Sequence, residues 1–153
     1  MIVKPVGRPY VETMLTDLYS TDILTLSAGL KNERLDGPDG TARRVSKLCG
    51  SWLEIDLNVD GDKVTECALR VQACALGQAS AAILKAKILG ATRAELVIAR
   101  DGLHGMLKDG TPPPTGRFSD IAHLQGVAAY PARHVSTLLA FDAAIEAMER
   151  ALS

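Results

Sequence analysis

Long apolar runs are missing from this sequence of 153 residues. No stretch approaches the ~20 consecutive apolar residues that span a bilayer, and Met1-Ile2-Val3-Lys4-Pro5 lacks the apolar core of a secretory signal. The expectation is a soluble, cytoplasmic protein with no membrane partner. Charge excess of either sign is missing too, because 17 Lys and Arg nearly cancel 18 Asp and Glu. Without a large positive field there is little to hold a polyanion, so nucleic acid is not an expected partner. Cysteine is scarce and odd in number, at three. That argues against a disulfide framework and for a reducing compartment in which thiols stay free for metal or sulfur chemistry. The H-E-x-x-H, C-x-x-C, G-x-S-x-G and phosphate-loop patterns are absent, and with them the catalytic machineries they carry. No internal repeat or low-complexity tract interrupts the chain. With 47% apolar residues it suits one sizeable core, and residues 1–153 are expected to form a single domain.

Apolar residues from Val11 to Leu30 recur at helical spacing with a break near Tyr19-Ser20-Thr21-Asp22, which predicts two short helices. Asp36-Gly37-Pro38-Asp39-Gly40 is turn chemistry, followed by an edge strand over 42–47 with polar residues facing water. Between Trp52 and Val59 the alternation is strict: Leu53, Ile55, Leu57 and Val59 on one face, Glu54, Asp56 and Asn58 on the other. Asp60-Gly61-Asp62 turns the chain, and Thr65, Cys67, Leu69 and Val71 share a face on the returning strand. After Ala73 the period becomes helical. Residues 75–89 form an Ala-rich helix with Leu76, Ala79, Ile83, Ala86 and Leu89 along one stripe and Gly90 as its stop. Thr92 and Glu95 form a capping box for a helix running to about Lys108, weakened by Gly102 and Gly105. Thr111-Pro112-Pro113-Pro114-Thr115-Gly116 is a rigid surface connector. A short helix over 119–124 and an amphipathic helix starting near Pro131 complete an α+β fold: a three-stranded antiparallel sheet with helices packed on one face.

Two thiols stand at element ends. Cys49 lies in Leu48-Cys49-Gly50-Ser51, opening the first long strand. Cys74 lies in Gln72-Ala73-Cys74-Ala75-Leu76-Gly77-Gln78-Ala79-Ser80, where the second runs into a helix. A thiol at a helix N-terminus meets unpaired N–H groups and the positive end of the dipole, which favours the thiolate used in metal binding or nucleophilic attack. Burial in an Ala-rich helix is the plainer alternative for Cys74, and a structural role is equally open to Cys49. Cys67 alternates with Leu69 and Val71, so parity assigns it to the buried sheet face and removes it from the site. Among the histidines, His134 starts the last helix, a position from which imidazole can join a zinc or iron site. His104 and His123 carry no such signal.

These motifs together resemble the IscU/SufU-type (NifU N-terminal-like) iron–sulfur cluster assembly scaffold family. Cys-Gly before an alternating strand, an Asp-Gly turn, a second strand and then Cys74-Ala75-Leu76-Gly77-Gln78-Ala79-Ser80 entering a helix carry the resemblance. Tyr130-Pro131-Ala132-Arg133 leading into Leu139-Ala140-Phe141 extends it to the last helix. In that family three cysteines and an aspartate surround zinc or a nascent cluster. The resemblance places Cys49 and Cys74 at the first two cysteines, Ser51 at the aspartate and Ser136 at the third cysteine. Serine is a poor ligand for either metal, and His134 is the candidate substitute. The resemblance therefore implies a non-enzymatic scaffold or carrier with a degenerate ligand set: Cys49, Cys74 and His134 holding a transient iron–sulfur cluster or zinc, or no metal at all. It implies a cysteine desulfurase and apo-protein acceptors as partners. Two alternatives follow from the same residues: a metal-free partner or regulator of the assembly machinery, and a sulfur transferase carrying persulfide on Cys74.

Overall fold

The computed structural model describes residues 21–48 and 50–153. The first of the two helices expected before Leu30, and Cys49 itself, lie outside the described residues. The second helix is present as α1, Thr21–Ala28. Three strands follow, β1 Gly40–Ser46, β2 Ser51–Asp60 and β3 Lys63–Gln72, paired antiparallel in the order β1-β2-β3. Then come α2 (Ala75–Lys87), α3 (Arg93–Asp109), a 3-10 stretch over Gly116–Ala129, a single 3-10 turn Pro131–Arg133, and α4 (His134–Leu152). The α+β architecture with a three-stranded antiparallel sheet is the one expected. Among the described residues, no helix is long and apolar enough to cross a membrane.

The alternation of β2 builds the core. Leu53, Ile55 and Leu57 are fully buried against Leu76 and Ile83 of α2, Leu96 and Leu103 of α3, and Phe141 and Met148 of α4 in one apolar cluster. Phe118 meets Phe141 edge to face, with ring centroids 5.6 Å apart, a geometry that aromatic quadrupoles favour. The register shifts between Asn58 and Val59, so that Val59 opposes Val64. The shift changes the parity of β3 at its start: Val64 turns into the core and Thr65 is exposed, which corrects the placement of Thr65 on the core face. Cys67, Leu69 and Val71 keep the face that alternation assigned them.

The stripe on α2 needs a second correction. Leu76, Ser80, Leu84 and Ile88 are buried beside Ala79 and Ile83, whereas Ala86 is exposed and Leu89 is 56% exposed. A helix advances 100° per residue, so the two consecutive steps of three after Ile83, with no step of four to balance them, drift off the core. The helix stops where expected: Gly90 takes φ +87°. At α3 the capping box forms, with Glu95 N donating to Thr92 Oγ1 at 3.2 Å and Thr92 N to Glu95 Oε1 at 3.1 Å. Gly102 and Gly105 have a reason to be in this helix. A Cβ at Gly102 would lie 2.7 Å from Pro114 Cγ, and one at Gly105 would lie 2.8 Å from Thr111 Oγ1. The proline-rich connector thus rests on α3.

The outer face of the sheet is not simply wet. Asp56 and Arg70 are 5% and 7% exposed. They form a bidentate pair, Arg70 Nη1 to Asp56 Oδ2 and Nη2 to Oδ1, both at 3.0 Å. The segment after α1 crosses over them. Leu35 N donates to Asp56 Oδ2 at 3.1 Å, and Arg70 Nη1 donates to the Glu33 carbonyl at 2.7 Å. Glu33 N also donates to Leu69 O at 2.9 Å and Val71 N to Asn32 Oδ1 at 3.0 Å, so the same segment satisfies the free edge of β3. Burial raises the Asp56 carboxyl, but the Arg70 guanidinium, the Leu35 N–H and the Thr41 hydroxyl outweigh it and hold Asp56 below its usual value.

Removing one partner of a buried pair leaves an uncompensated charge. Arg70→Met is expected to lower the unfolding free energy at pH 7 by about 3–5 kcal/mol, read by urea denaturation. Because the folded Asp56 titrates below its unfolded value, its contribution is present at neutral pH and lost as pH falls through the folded value. The gap between wild type and Arg70→Met should therefore narrow on acidification. A gap that stays constant down to pH 2 contradicts this assignment.

Candidate functional site: a thiol cleft at the end of the sheet

Pairing of β2 with β3 sets Trp52 opposite Gln72. The start of β2 and the end of β3 therefore finish at the same edge, and the chain leaves β3 into α2 there. Cys74 is the N-cap residue of α2, extended at φ −66° and ψ 170°, with no hydrogen bond from its side chain to the helix. Its carbonyl accepts Gln78 N at 3.0 Å, while Gln78 Nε2 donates back to Ala73 O at 2.9 Å. The sulfur is half-buried and not in a disulfide. Cys74 lines an open cleft of about 340 Å³ with Gly50, Ser51, Gln72, Ala73 and Arg133.

The loop joining β1 to β2 closes on a hydrogen bond from Gly50 N to Ser46 O at 2.9 Å, with Gly50 at φ +70°. Glycine is the residue that takes this left-handed conformation without strain. The residues that follow Cys49 in the chain, Gly50 and Ser51, are on the cleft wall. Ser51 is buried.

The start of α4 supplies the other wall. A Cβ at Gly77 would lie 3.4 Å from Ser136 O, so the first turns of α2 and α4 pack backbone to backbone. Ser80 Oγ donates to Thr137 O at 2.6 Å across the same contact. Ser136 is thereby brought beside the first turn of α2, one helical turn from Cys74. Its own hydroxyl donates to Arg133 O at 3.1 Å, the same carbonyl that takes Thr137 Oγ1 at 2.7 Å.

His134 is 3% exposed. It is not a cleft-lining residue; Nε2 lies 3.1 Å from Val127 O and 3.3 Å from Ala128 O. Both neighbours are acceptors, which assigns the proton to Nε2. Nδ1 is left as a buried lone pair with no hydrogen-bond partner among the described residues. An imidazole whose other nitrogen donates to a backbone carbonyl is oriented as metal-binding histidines are. Among the described residues, which exclude Cys49, no three His, Cys, Asp or Glu side chains form a group able to hold a metal ion. His123 is exposed and faces Asp22 at 3.6 Å.

Cys67 sits away from this cleft, in a pocket of about 240 Å³ with Leu35, Lys85 and Leu89. Burial pushes its thiol up to about 12, so it is protonated at neutral pH and inert. Arg133 was not singled out by spacing, although Pro131, which opens the 3-10 turn ahead of it, was a signal that its backbone is fixed.

A half-buried thiol at a helix start, set at one end of a three-stranded sheet beside the Gly50 turn and the Gly77 contact, defines a class of small α+β thiol-site proteins. No protein-family model matches the sequence. A crystal structure of a nitrogen-fixing NifU-like protein (N-terminal) from Brucella abortus superposes with a TM-score of 0.87, at 41% identity, covering 90% of this chain and 96% of that one. The chain belongs to this IscU/SufU-type, NifU N-terminal-like family. A Streptococcus pyogenes serotype M1 protein named iron–sulfur cluster assembly scaffold protein IscU is 25% identical over 117 residues, 76% of this chain and 73% of that protein. The fold also matches a putative iron–sulfur cluster assembly scaffold protein for the SUF system from Fervidobacterium islandicum AW-1, at TM-score 0.77 and 24% identity, over 90% of this chain and 98% of that one.

The contrast between the thiols is measurable. Carbamidomethylation of Cys67 by iodoacetamide at pH 8 is expected to be about 100-fold or more slower in the folded protein than in urea, read peptide by peptide by mass spectrometry. Equal rates in the two states would contradict its partly buried, protonated state.

Proposed function

We propose that this protein acts in iron–sulfur cluster assembly as a scaffold or carrier, with the cluster or iron as cargo taken at Cys49 and Cys74. The observation that carries the reading is the position of Cys74. It is the N-cap thiol of α2, on the wall of an open cleft, in a chain whose relatives bear the name of cluster assembly scaffolds. Soft thiolates suit iron, sulfur-bridged clusters and zinc alike. The role is not enzymatic: the chain holds cargo and passes it on. A cysteine desulfurase as sulfur source and apo-proteins as acceptors are the partners that such a role requires.

The donor set of this chain is thin. Ser51 and Ser136 offer hydroxyls where thiolate or carboxylate would bind metal more strongly. The Nδ1 of His134, without a hydrogen-bond partner among the described residues, supports it as the third donor, through the tautomer its Nε2 contacts assign. A second reading, a metal-free partner of the assembly machinery, draws support from the engagement of the Ser136 hydroxyl with Arg133 O.

Anaerobic reconstitution with ferrous iron and sulfide separates the two. On the scaffold reading the purified protein acquires visible sulfur-to-iron charge-transfer absorption and acid-labile sulfide, and Cys49→Ser or Cys74→Ser each remove most of both. His134→Ala is expected to weaken retention by at least about 10–100-fold, the loss that follows removal of even a hydrogen-bond partner of a metal ligand. Wild-type protein that takes up no sulfide refutes the scaffold reading and leaves the metal-free one.

A further inference from the structure

The start of α2 is capped from an unexpected position. An N-cap side chain ordinarily accepts a backbone N–H of the first turn and so fixes where the helix begins. At Cys74 the side chain makes no such bond, and its neighbours Ala73, Ala75, Leu76 and Gly77 have no polar side chain to replace it. The first polar side chain inside the helix is that of Gln78. It is half-buried, its Nε2 donates to Ala73 O at 2.9 Å, and its backbone N–H donates to Cys74 O at 3.0 Å.

Those two bonds hold the two peptide units that meet at the Cys74 Cα. Each unit is a rigid plane, so the orientation of the first sets φ and that of the second sets ψ. With both carbonyls tied to one residue, the extended conformation at φ −66° and ψ 170° is fixed from within the helix. The direction in which the Cα–Cβ bond leaves the chain is fixed with it. Ala73 is seated from the same side, since a Cβ at Gly77 would lie 2.8 Å from Ala73 Cβ. The thiol itself takes no part in this clamp.

We propose that Gln78 is the positioning residue of the thiol cleft. By clamping Ala73 O and Cys74 O it fixes the N-cap, so that Cys74 presents a sulfur with no side-chain bond to the helix. The proposal rests on the scaffold reading above and deepens it. A site with few strong donors gains most from having one of them preorganised, because the chain around it is ordered before the cargo arrives.

The first test needs no iron. Cys74 in the folded full chain is alkylated in parallel by iodoacetamide and by its larger N-phenyl analogue, with each cysteine peptide counted separately by mass spectrometry. A change in thiolate level moves both rates together, so their ratio reports how far the sulfur is held inside the cleft. Gln78→Met keeps length and helix propensity but donates nothing, and Gln78→Glu faces the Ala73 carbonyl with a second acceptor. Each is expected to raise the ratio of large to small reagent at Cys74 about five-fold, the factor that one neutral hydrogen bond contributes. Gln78→Lys restores a donor and should keep the wild-type ratio, because both reagents are uncharged. The ratio at Cys67 should stay constant throughout. After anaerobic reconstitution with ferrous iron and sulfide, Gln78→Met is expected to retain both about 10-fold less well than wild type. An unchanged Cys74 ratio in Gln78→Met, an equal rise at Cys67, a ratio in Gln78→Lys as high as in Gln78→Met, or wild-type cluster retention in Gln78→Met overturns the proposal. Wild-type protein that takes up no sulfide while the Cys74 ratio follows the donor series refutes the scaffold reading alone. A normal wild-type cluster with a ratio indifferent to residue 78 refutes the role of Gln78 alone.

Discussion

The buried Asp56–Arg70 pair is the interaction on which the other features depend. It joins the central strand to its neighbour on the face away from the helices, with Arg70 also reaching Glu54 Oε1 at 3.1 Å. A slip of one residue between β2 and β3 would move the pair out of reach and turn every apolar side chain of one strand the wrong way. The register it defends decides that Trp52 and Gln72 lie level with each other, and hence where Cys74 is delivered. The pair also receives the crossing segment through Leu35 N and Glu33 O, so α1, the sheet and the edge of β3 are tied at one point. A buried ion pair is a weak source of net stability; its value here lies in geometry.

At the far side of the cleft, close approach takes over from charge. Gly77 lets the first turn of α2 lie on the backbone at Ser136, and the Ser80 hydroxyl bonds across to Thr137 O. Two helix starts therefore converge beside the sheet end. One carries the thiol, and the other carries the arginine. Among the described residues, the wall that results is made of small and polar residues around the Cys74 thiol and Arg133.

Much of this was legible in the sequence because it rests on local rules. Alternation in β2, the Asp60-Gly61-Asp62 turn, the switch of period at Ala73 and the capping box at Thr92 each use a pattern only a few residues long, and each is present. The parity of Cys67 located a thiol that burial makes inert. What could not be read depends on contacts between distant segments. Asp56 looked solvent-facing because nothing in its strand announces that residues 33–35 return to cover it. Gly102 and Gly105 looked like weaknesses because the connector that occupies their missing Cβ positions comes later in the chain. Thr65 was misplaced because the register shift is a property of the pair of strands. At the site, the motif order marked Cys74 and the Ser136 position, while the orientation of the His134 ring and the presence of Arg133 on the cleft wall needed three dimensions.

Gly40 gives the fold a mechanical property. A Cβ there would lie 2.1 Å from Ala147 O and 2.8 Å from Ala151 N, so the C-terminal half of α4 bears directly on the backbone of β1. α4 runs from His134 to Leu152 without a break, and at 1.5 Å per residue its first turn lies roughly 20 Å from that bearing point. A rigid rod resting on a fulcrum transmits tilt along its length. A single methyl group added at Gly40, at the end of the sheet away from Cys74, would lever the opposite end of the rod, and the aperture of the cleft would be altered from the far side of the molecule.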